Sequence, residues 1–171
     1  MNGNLTMETK QSIQSIWQLL DSVYDPEVPV LSVIDLGIVR SVELLGNKVT
    51  VVITPTYSGC PAMDVISMMI RMRLLENGYS DIAIKSVLSP PWTTDWMTEN
   101  GKRKLEAYGI APPNSTQAVC FPDAFAQEEA IQCPRCRSYH TQLVSQFGST
   151  ACKALYRCLD CQEPFDYFKC H

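Results

Sequence analysis

Cys133-Pro134-Arg135-Cys136 and Cys158-Leu159-Asp160-Cys161, separated by 21 residues, decide how the C-terminal part of this 171-residue chain folds. Each Cys-x-x-Cys sets two sulfurs on one tight knuckle, and two knuckles supply the four thiolates of a tetrahedral site. Residues 142–147 and 154–157, between the knuckles, read as short strands, so residues 132–171 are expected to form a four-cysteine ribbon. A module of about forty residues buries too little apolar surface to fold without a staple, so the metal is expected to supply much of its stability. Zinc suits the donor set, and an iron–sulfur cluster takes the same four thiolates.

The chain has eight cysteines, six of them in its last 39 residues. In a secreted chain this clustering would suggest disulfides, and in a cytosolic one it suggests metal. The polar start, residues 1–10, lacks the apolar centre of a secretory signal, and no apolar run approaches the ~18 residues of a membrane span. The expectation is a cytoplasmic protein with no membrane attachment. Cys152 and Cys170 are surplus to the ribbon, with His140 and His171 nearby. They are either ordinary free cysteines or, with His171, a second soft-metal site.

Charge excludes one function class. The net charge is −4, with five basic and three acidic residues in 133–171 and nine basic and fifteen acidic residues before it. Nucleic-acid binders carry a dense basic footprint, so no nucleic-acid partner is expected.

Upstream, residues 9–24 carry Ile13, Ile16, Trp17 and Leu20 at helical spacing, and Asp25-Pro26 stops the helix. Residues 38–45 and 48–54 are β-rich and joined by Gly46-Asn47, a hairpin signal. A loop, Thr54-Pro-Thr-Tyr-Ser-Gly-Cys60-Pro61, then leads into a helix over 61–77, with Pro61 in its first turn. Ala62, Val65, Ile66, Met69 and Met72 share a face there, and the Met-rich stripe predicts core packing. Residues 82–88 read as a third strand, broken at Ser89-Pro-Pro-Trp92, and 98–108 as a third helix ending at Gly109. Residues 111–131 are proline-rich and aperiodic and read as a linker, with Phe121 and Phe125 on a surface. The fold class is α+β: a small mixed sheet packed with helices over residues 1–110, then the linker and the zinc ribbon.

Cys60 is the chemically suggestive residue of the first domain. At a helix N-terminus a thiolate gains from free N–H groups and the dipole, which predicts a partly accessible, reactive thiol rather than a small buried hydrophobe, unless Asp25 and Glu27 lie beside it and raise its pKa. Asp25, Glu27 and Asp35, beside Pro or Gly, are ordinary turn-capping acids when taken singly.

Taken together, Asp25-Pro-Glu27, Asp35-Leu-Gly37, Thr54 through Gly59-Cys60-Pro61, Trp92 and Leu105 to Gly109-Ile110 resemble the small α+β iron–sulfur assembly factors that include SufT. That resemblance spans residues 10–110. It implies iron–sulfur handling by Cys60, with Asp25 and Glu27 as the acidic motif and a transiently held cluster as cargo. Ser149-Thr-Ala-Cys152-Lys-Ala, Tyr156-Arg-Cys158, Glu163-Pro-Phe165 and Phe168-Lys169 extend the likeness to PaaD-like accessory subunits of phenylacetyl-CoA epoxidase systems, over nearly the whole chain. The resemblance implies a non-catalytic factor for maturing iron–sulfur or di-iron centres. Its implied partners are the oxygenase, the flavin/[2Fe–2S] reductase and the iron–sulfur assembly machinery. The alternative is a structural or electron-transfer subunit of the oxygenase itself. Against catalysis by this chain, both histidines lie in the ribbon, and it has no phosphate-binding glycine loop and no Glu-x-x-His di-iron motif.

Overall fold

The computed structural model describes residues 4–113 and 131–169, with side chains described from residue 13 onward. The chain divides into two compact units, Met1–Trp92 and Thr93–His171.

The first unit opens with helix α1, Asn4–Asp21. Ile16 and Leu20, one turn apart, are fully buried. The helix stops short of residue 24. Ser22 turns its hydroxyl back to the Leu19 carbonyl at 2.6 Å. Asp25 then folds the chain around Pro26, its Oδ1 accepting the N–H groups of Glu27 at 2.7 Å and Val28 at 2.9 Å. Strands β1, Val39–Leu45, and β2, Lys48–Ile53, pair antiparallel. Gly46 takes φ 61° at the first central position of their two-residue turn, where glycine is the residue without a steric penalty. On β2, Val49, Val51 and Ile53 are fully buried, the period-2 pattern of a strand with one face on the core.

Helix α2, Ala62–Glu76, crosses from β2 to β3, Asp81–Ser86, which lies parallel to β2. The sheet order β1-β2-β3 is therefore mixed, with α1 packed on β1 and α2 and with α2 packed on β3. The core face of α2 is Ala62, Ile66, Ile70 and Leu74. The expected Met-rich core stripe is corrected here: Val65 and Met72 are exposed, as are Met68 and Leu75. Of the expected stripe, Ala62 and Ile66 do lie on the core face and Met69 is half-buried, so the stripe is centred too far round the helix, which is apolar on two sides.

In the second unit a short 3-10 turn, Thr94–Trp96, precedes helix α3, Glu99–Tyr108. Thr98 caps α3 by accepting the Gly101 N–H at 2.9 Å, and Gly109 closes it. The chain then runs straight into strand β4, Ile110–Ala111. Strands β5, Thr141–Ser145, β6, Lys153–Cys158, and β7, Pro164–Phe168, complete a sheet ordered β4-β7-β6-β5. β4 pairs with β7 in parallel, and the other pairs are antiparallel. Neither β4 nor β7 was expected: β4 is two residues long, and β7 opens on Pro164, a residue tolerated at the first position of a strand. Ile131, assigned to the linker by composition, is buried in the ribbon core with Ala111, Cys133, Cys158 and Phe165. Phe121 and Phe125 lie outside the described residues.

Candidate metal and cysteine sites

The two knuckles of the ribbon are built alike. In the first, the Arg137 N–H donates to the Cys133 carbonyl at 2.9 Å. In the second, the Cys161 N–H points at the Cys158 sulfur, 3.5 Å away. In each, the residue after the second cysteine turns left-handed, Arg137 at φ 63° and Gln162 at φ 64°. Non-glycine residues adopt that conformation uncommonly, and here it repeats at the equivalent place in both knuckles.

The four sulfurs of Cys133, Cys136, Cys158 and Cys161 lie within 4.8 Å of one another. Cys133 and Cys161 are 3.8 Å apart, and Cys136 and Cys158 are 3.5 Å apart. A tetrahedral ion with ~2.3 Å metal–sulfur bonds has edges of about 3.8 Å, so the donor set fits a metal ion in both chemistry and spacing.

The ligand thiols differ. N–H donation from Cys161, then from Asp160, together with the neighbouring thiols, lowers the Cys158 thiol to about 7 against burial. At Cys161 an N–H bond from Glu163 acts in the same sense, but burial and the three other thiols outweigh it and push the thiol up to about 12. Four sulfurs this close cannot all ionise comfortably without a cation among them.

Ser138, Asp160 and His140, none of them singled out for this role in the sequence, tie the knuckles together. Ser138, just past the first knuckle, donates its hydroxyl to Asp160 Oδ2 inside the second. Asp160 Oδ1 lies 3.0 Å from His140 Nδ1. These contacts hold the Asp160 carboxyl below its ordinary value, the Ser138 bond first and the His140 bond next. The available signal was a carboxylate placed between two ligand cysteines.

Cys60 occupies a different setting. Gly59, at φ 85°, turns the chain into it, and Pro61 sits at the N-cap of α2. The thiol is half-buried, and burial raises its pKa above the ordinary value. The Ala62 N–H and the Tyr57 hydroxyl pull it down, while Glu27 and Asp25 push it further up. The structure thus brings Cys60, Asp25 and Glu27 into one electrostatic neighbourhood. Burial first, and then the two carboxylates, outweigh the N–H groups, the outcome expected at a helix N-terminus where Asp25 and Glu27 lie near the thiol. Tyr57 is a further member of this neighbourhood that the sequence did not single out.

The other motif residues serve the fold. Asp35 and Ser32 close a turn on each other, Ser32 donating its N–H to Asp35 Oδ2 at 3.3 Å and Asp35 its N–H to Ser32 Oγ at 3.0 Å. Trp92, buried, donates its indole N–H to the Leu36 carbonyl at 2.9 Å. Thr54, at the start of the Cys60 loop, has a buried hydroxyl with no hydrogen-bond partner among the described residues.

Cys152 is buried beside Thr150, whose hydroxyl lies 3.0 Å from its sulfur. It is not part of the four-sulfur cluster. Cys170 and His171, the other members of the second soft-metal site, lie outside the described residues.

An α+β unit followed by a ribbon whose four sulfurs fit a metal ion defines a two-part class of protein. Residues 13–77 match the family model of an iron–sulfur cluster assembly protein, and residues 119–169 match that of the PaaD zinc beta ribbon domain. The chain belongs to the PaaD family. It is 49% identical over 160 residues to a protein of Escherichia coli (strain K12) named as a subunit of 1,2-phenylacetyl-CoA epoxidase, covering 92% of this chain and 93% of that one. It is also 36% identical over 100 residues to an Fe-S protein maturation auxiliary factor of Porphyromonas gingivalis, covering 57% of this chain and 94% of the relative. Among solved structures, a domain of unknown function (DUF59) from Bacillus anthracis superposes with a TM-score of 0.55 at 26% identity, covering 58% of this chain and 96% of that chain. Among the described residues, no helix is long and apolar enough to cross a membrane.

Proposed function

We propose that this protein is a non-catalytic accessory subunit that matures the iron–sulfur or di-iron centres of a phenylacetyl-CoA epoxidase-type oxygenase in the cytoplasm. The observation that carries this reading is the neighbourhood of Cys60, Glu27 and Asp25 on a packed domain, in a chain whose relatives are named for the epoxidase and for iron–sulfur maturation. A thiol whose pKa is raised by burial, and further by two carboxylates, stays protonated and quiet when empty. Positive cargo beside it, an iron ion or a cluster, reverses that balance, because the same carboxylates then attract what displaces the proton. Cys60 would hold the cargo, with Glu27 and Asp25 favouring it electrostatically. The donors are the iron–sulfur assembly machinery, and the recipients are the oxygenase and its flavin/[2Fe–2S] reductase.

In the ribbon, Cys133, Cys136, Cys158 and Cys161 would hold zinc, which supplies a redox-silent cross-link between the knuckles. Cys152, with Cys170 and His171, is a subsidiary candidate for soft-metal binding. The second reading, a structural or electron-transfer subunit of the oxygenase, is favoured by the name of the Escherichia coli relative.

The test is complementation. Cells lacking this protein should make reductase or oxygenase depleted in iron, and Cys60→Ser, normally folded, should fail to restore it. Full rescue by Cys60→Ser overturns the cargo role. A several-fold rise in turnover when purified protein is added to fully loaded components would favour the second reading.

A further inference from the structure

The four ligand cysteines of the ribbon are unequally protected. Cys133 and Cys158 are buried and Cys161 is half-buried, whereas Cys136 is exposed. Water or a chelator competing for a bound ion therefore meets Cys136 first. Ser138 holds that end of the first knuckle. Its carbonyl accepts the Cys133 N–H at 2.8 Å, its own N–H bonds to the Cys136 sulfur, and its hydroxyl donates to Asp160 Oδ2 on the second knuckle. Asp160 stands in the corresponding place there. Its N–H bonds to the Cys158 sulfur, which lies 3.5 Å from that of Cys136. The side chains of Ser138 and Asp160 thus join the two peptides whose N–H groups reach these two neighbouring sulfurs.

His140 braces the pair. Its N–H donates to Ser138 Oγ at 2.9 Å, which leaves the hydroxyl proton directed at Asp160. Its Nδ1 lies 3.0 Å from Asp160 Oδ1, and an ionised carboxylate only accepts, so the ring nitrogen donates. Its carbonyl accepts the Leu159 N–H at 2.8 Å. The next residue, Thr141, stands opposite Cys158 at the start of the β5–β6 ladder, which anchors the brace in the sheet. The side chains of His140 and Asp160 are 66 and 56% exposed, and ion pairs so exposed add little to stability. Their place beside the exposed ligand suits another task, limiting how far Cys136 can swing away.

Resting on the reading of Cys133, Cys136, Cys158 and Cys161 as zinc ligands, we propose that Ser138 and Asp160, braced by His140, are positioning residues that latch Cys136 in place and slow loss of the ion to competing ligands. An N–H bond to a ligand sulfur lasts only while its peptide keeps its orientation, and the Ser138–Asp160 bond fixes two such peptides at once. Partners of this kind typically change metal affinity 10–100-fold. Here the effect falls on release, because the latch holds the ligand that solvent can reach.

The test follows transfer of zinc from the full-length protein to excess chromogenic chelator, for the native chain, Ser138→Ala, Asp160→Ala and the double variant. Each single variant should release zinc about tenfold faster. The double variant should be no faster than the faster single one, since the two side chains act through one bond. Ser138→Thr, which keeps a hydroxyl, should release at the native rate. Melting curves, and the thiolate-to-metal absorption of the cobalt-substituted protein, should match those of the native chain throughout. Native release rates in both single variants overturn the latch, as does a double variant whose acceleration is the product of the two. So does Ser138→Thr releasing as fast as Ser138→Ala. An altered cobalt spectrum in Asp160→Ala would make Asp160 a ligand and also overturns it. If Asp160→Ala fails to fold, Ser138→Ala against Ser138→Thr decides alone. A native chain that neither holds nor takes up zinc overturns the ligand reading and the latch with it, whereas firm zinc binding with unchanged rates overturns the latch only.

Discussion

The two units are held together by different means. The first has an ordinary aliphatic core: Ile16, Leu20, Leu31, Leu36, Ile53, Ile66, Ile70 and Leu74 are all fully or almost fully buried, each worth roughly 1.5–3 kcal/mol. Its cysteine lies outside that core, half-buried at the end of a loop. In the ribbon the core cluster is Ala111, Ile131, Cys133, Cys158 and Phe165, with Tyr156, Cys161 and Tyr167 against it. There two candidate metal ligands, Cys133 and Cys158, are part of the core and Cys161 packs against it, while Cys136 is exposed. Tyr156 contributes by stacking on Phe165 at 5.9 Å and meeting Tyr167 edge-on at 5.8 Å. A site built on a scaffold that stands without it can empty and refill, whereas a site that is itself the core has to stay filled.

The largest expected effect would break this contrast outright. Cys158→Ser, or stripping the metal with a strong chelator, should release the ion and unfold the ribbon, because the ion's binding energy is folding energy in so small a module. Limited proteolysis should then cut within residues 131–169 while the first unit keeps its melting transition. Retention of metal by Cys158→Ser would show that the four sulfurs are not the ligand set.

A smaller effect tests the first unit's independence of metal. Trp92→Phe removes the indole N–H that satisfies the Leu36 carbonyl, at a cost of about 1–3 kcal/mol. The melting temperature of the first unit should fall by several degrees, equally in metal-loaded and metal-free protein. A loss seen only without metal would mean that the two units share their stability.

The smallest effect is kinetic. With burial and two carboxylates holding its pKa up, Cys60 should alkylate slowly near neutral pH and accelerate only as pH passes above the ordinary thiol value of 9.0. Glu27→Gln should bring the acceleration to lower pH by removing one of the raising charges, with little change in stability. An alkylation midpoint below the ordinary value would restore the picture of a thiolate favoured by the helix end.

What depends on neighbours along the chain was legible without any tertiary contact. Gly46-Asn47 specified the β1–β2 turn, Thr98 and Gly109 the ends of α3, and each Cys-x-x-Cys pair its own knuckle, because the groups involved are a few bonds apart. Tertiary structure decided the rest. Which side of α2 meets the core could not be read from spacing, since both sides are apolar and only packing against the sheet distinguishes them. That Glu27 and Asp25 act on Cys60, more than thirty residues away, follows from how α1, the Pro26 turn and the Cys60 loop assemble. Burial of the thiol, with those two charges added, outweighs the N–H groups at the helix end. β4 and β7 were also invisible to local pattern: a two-residue strand and one opened by proline exist because a neighbouring strand supplies their hydrogen bonds.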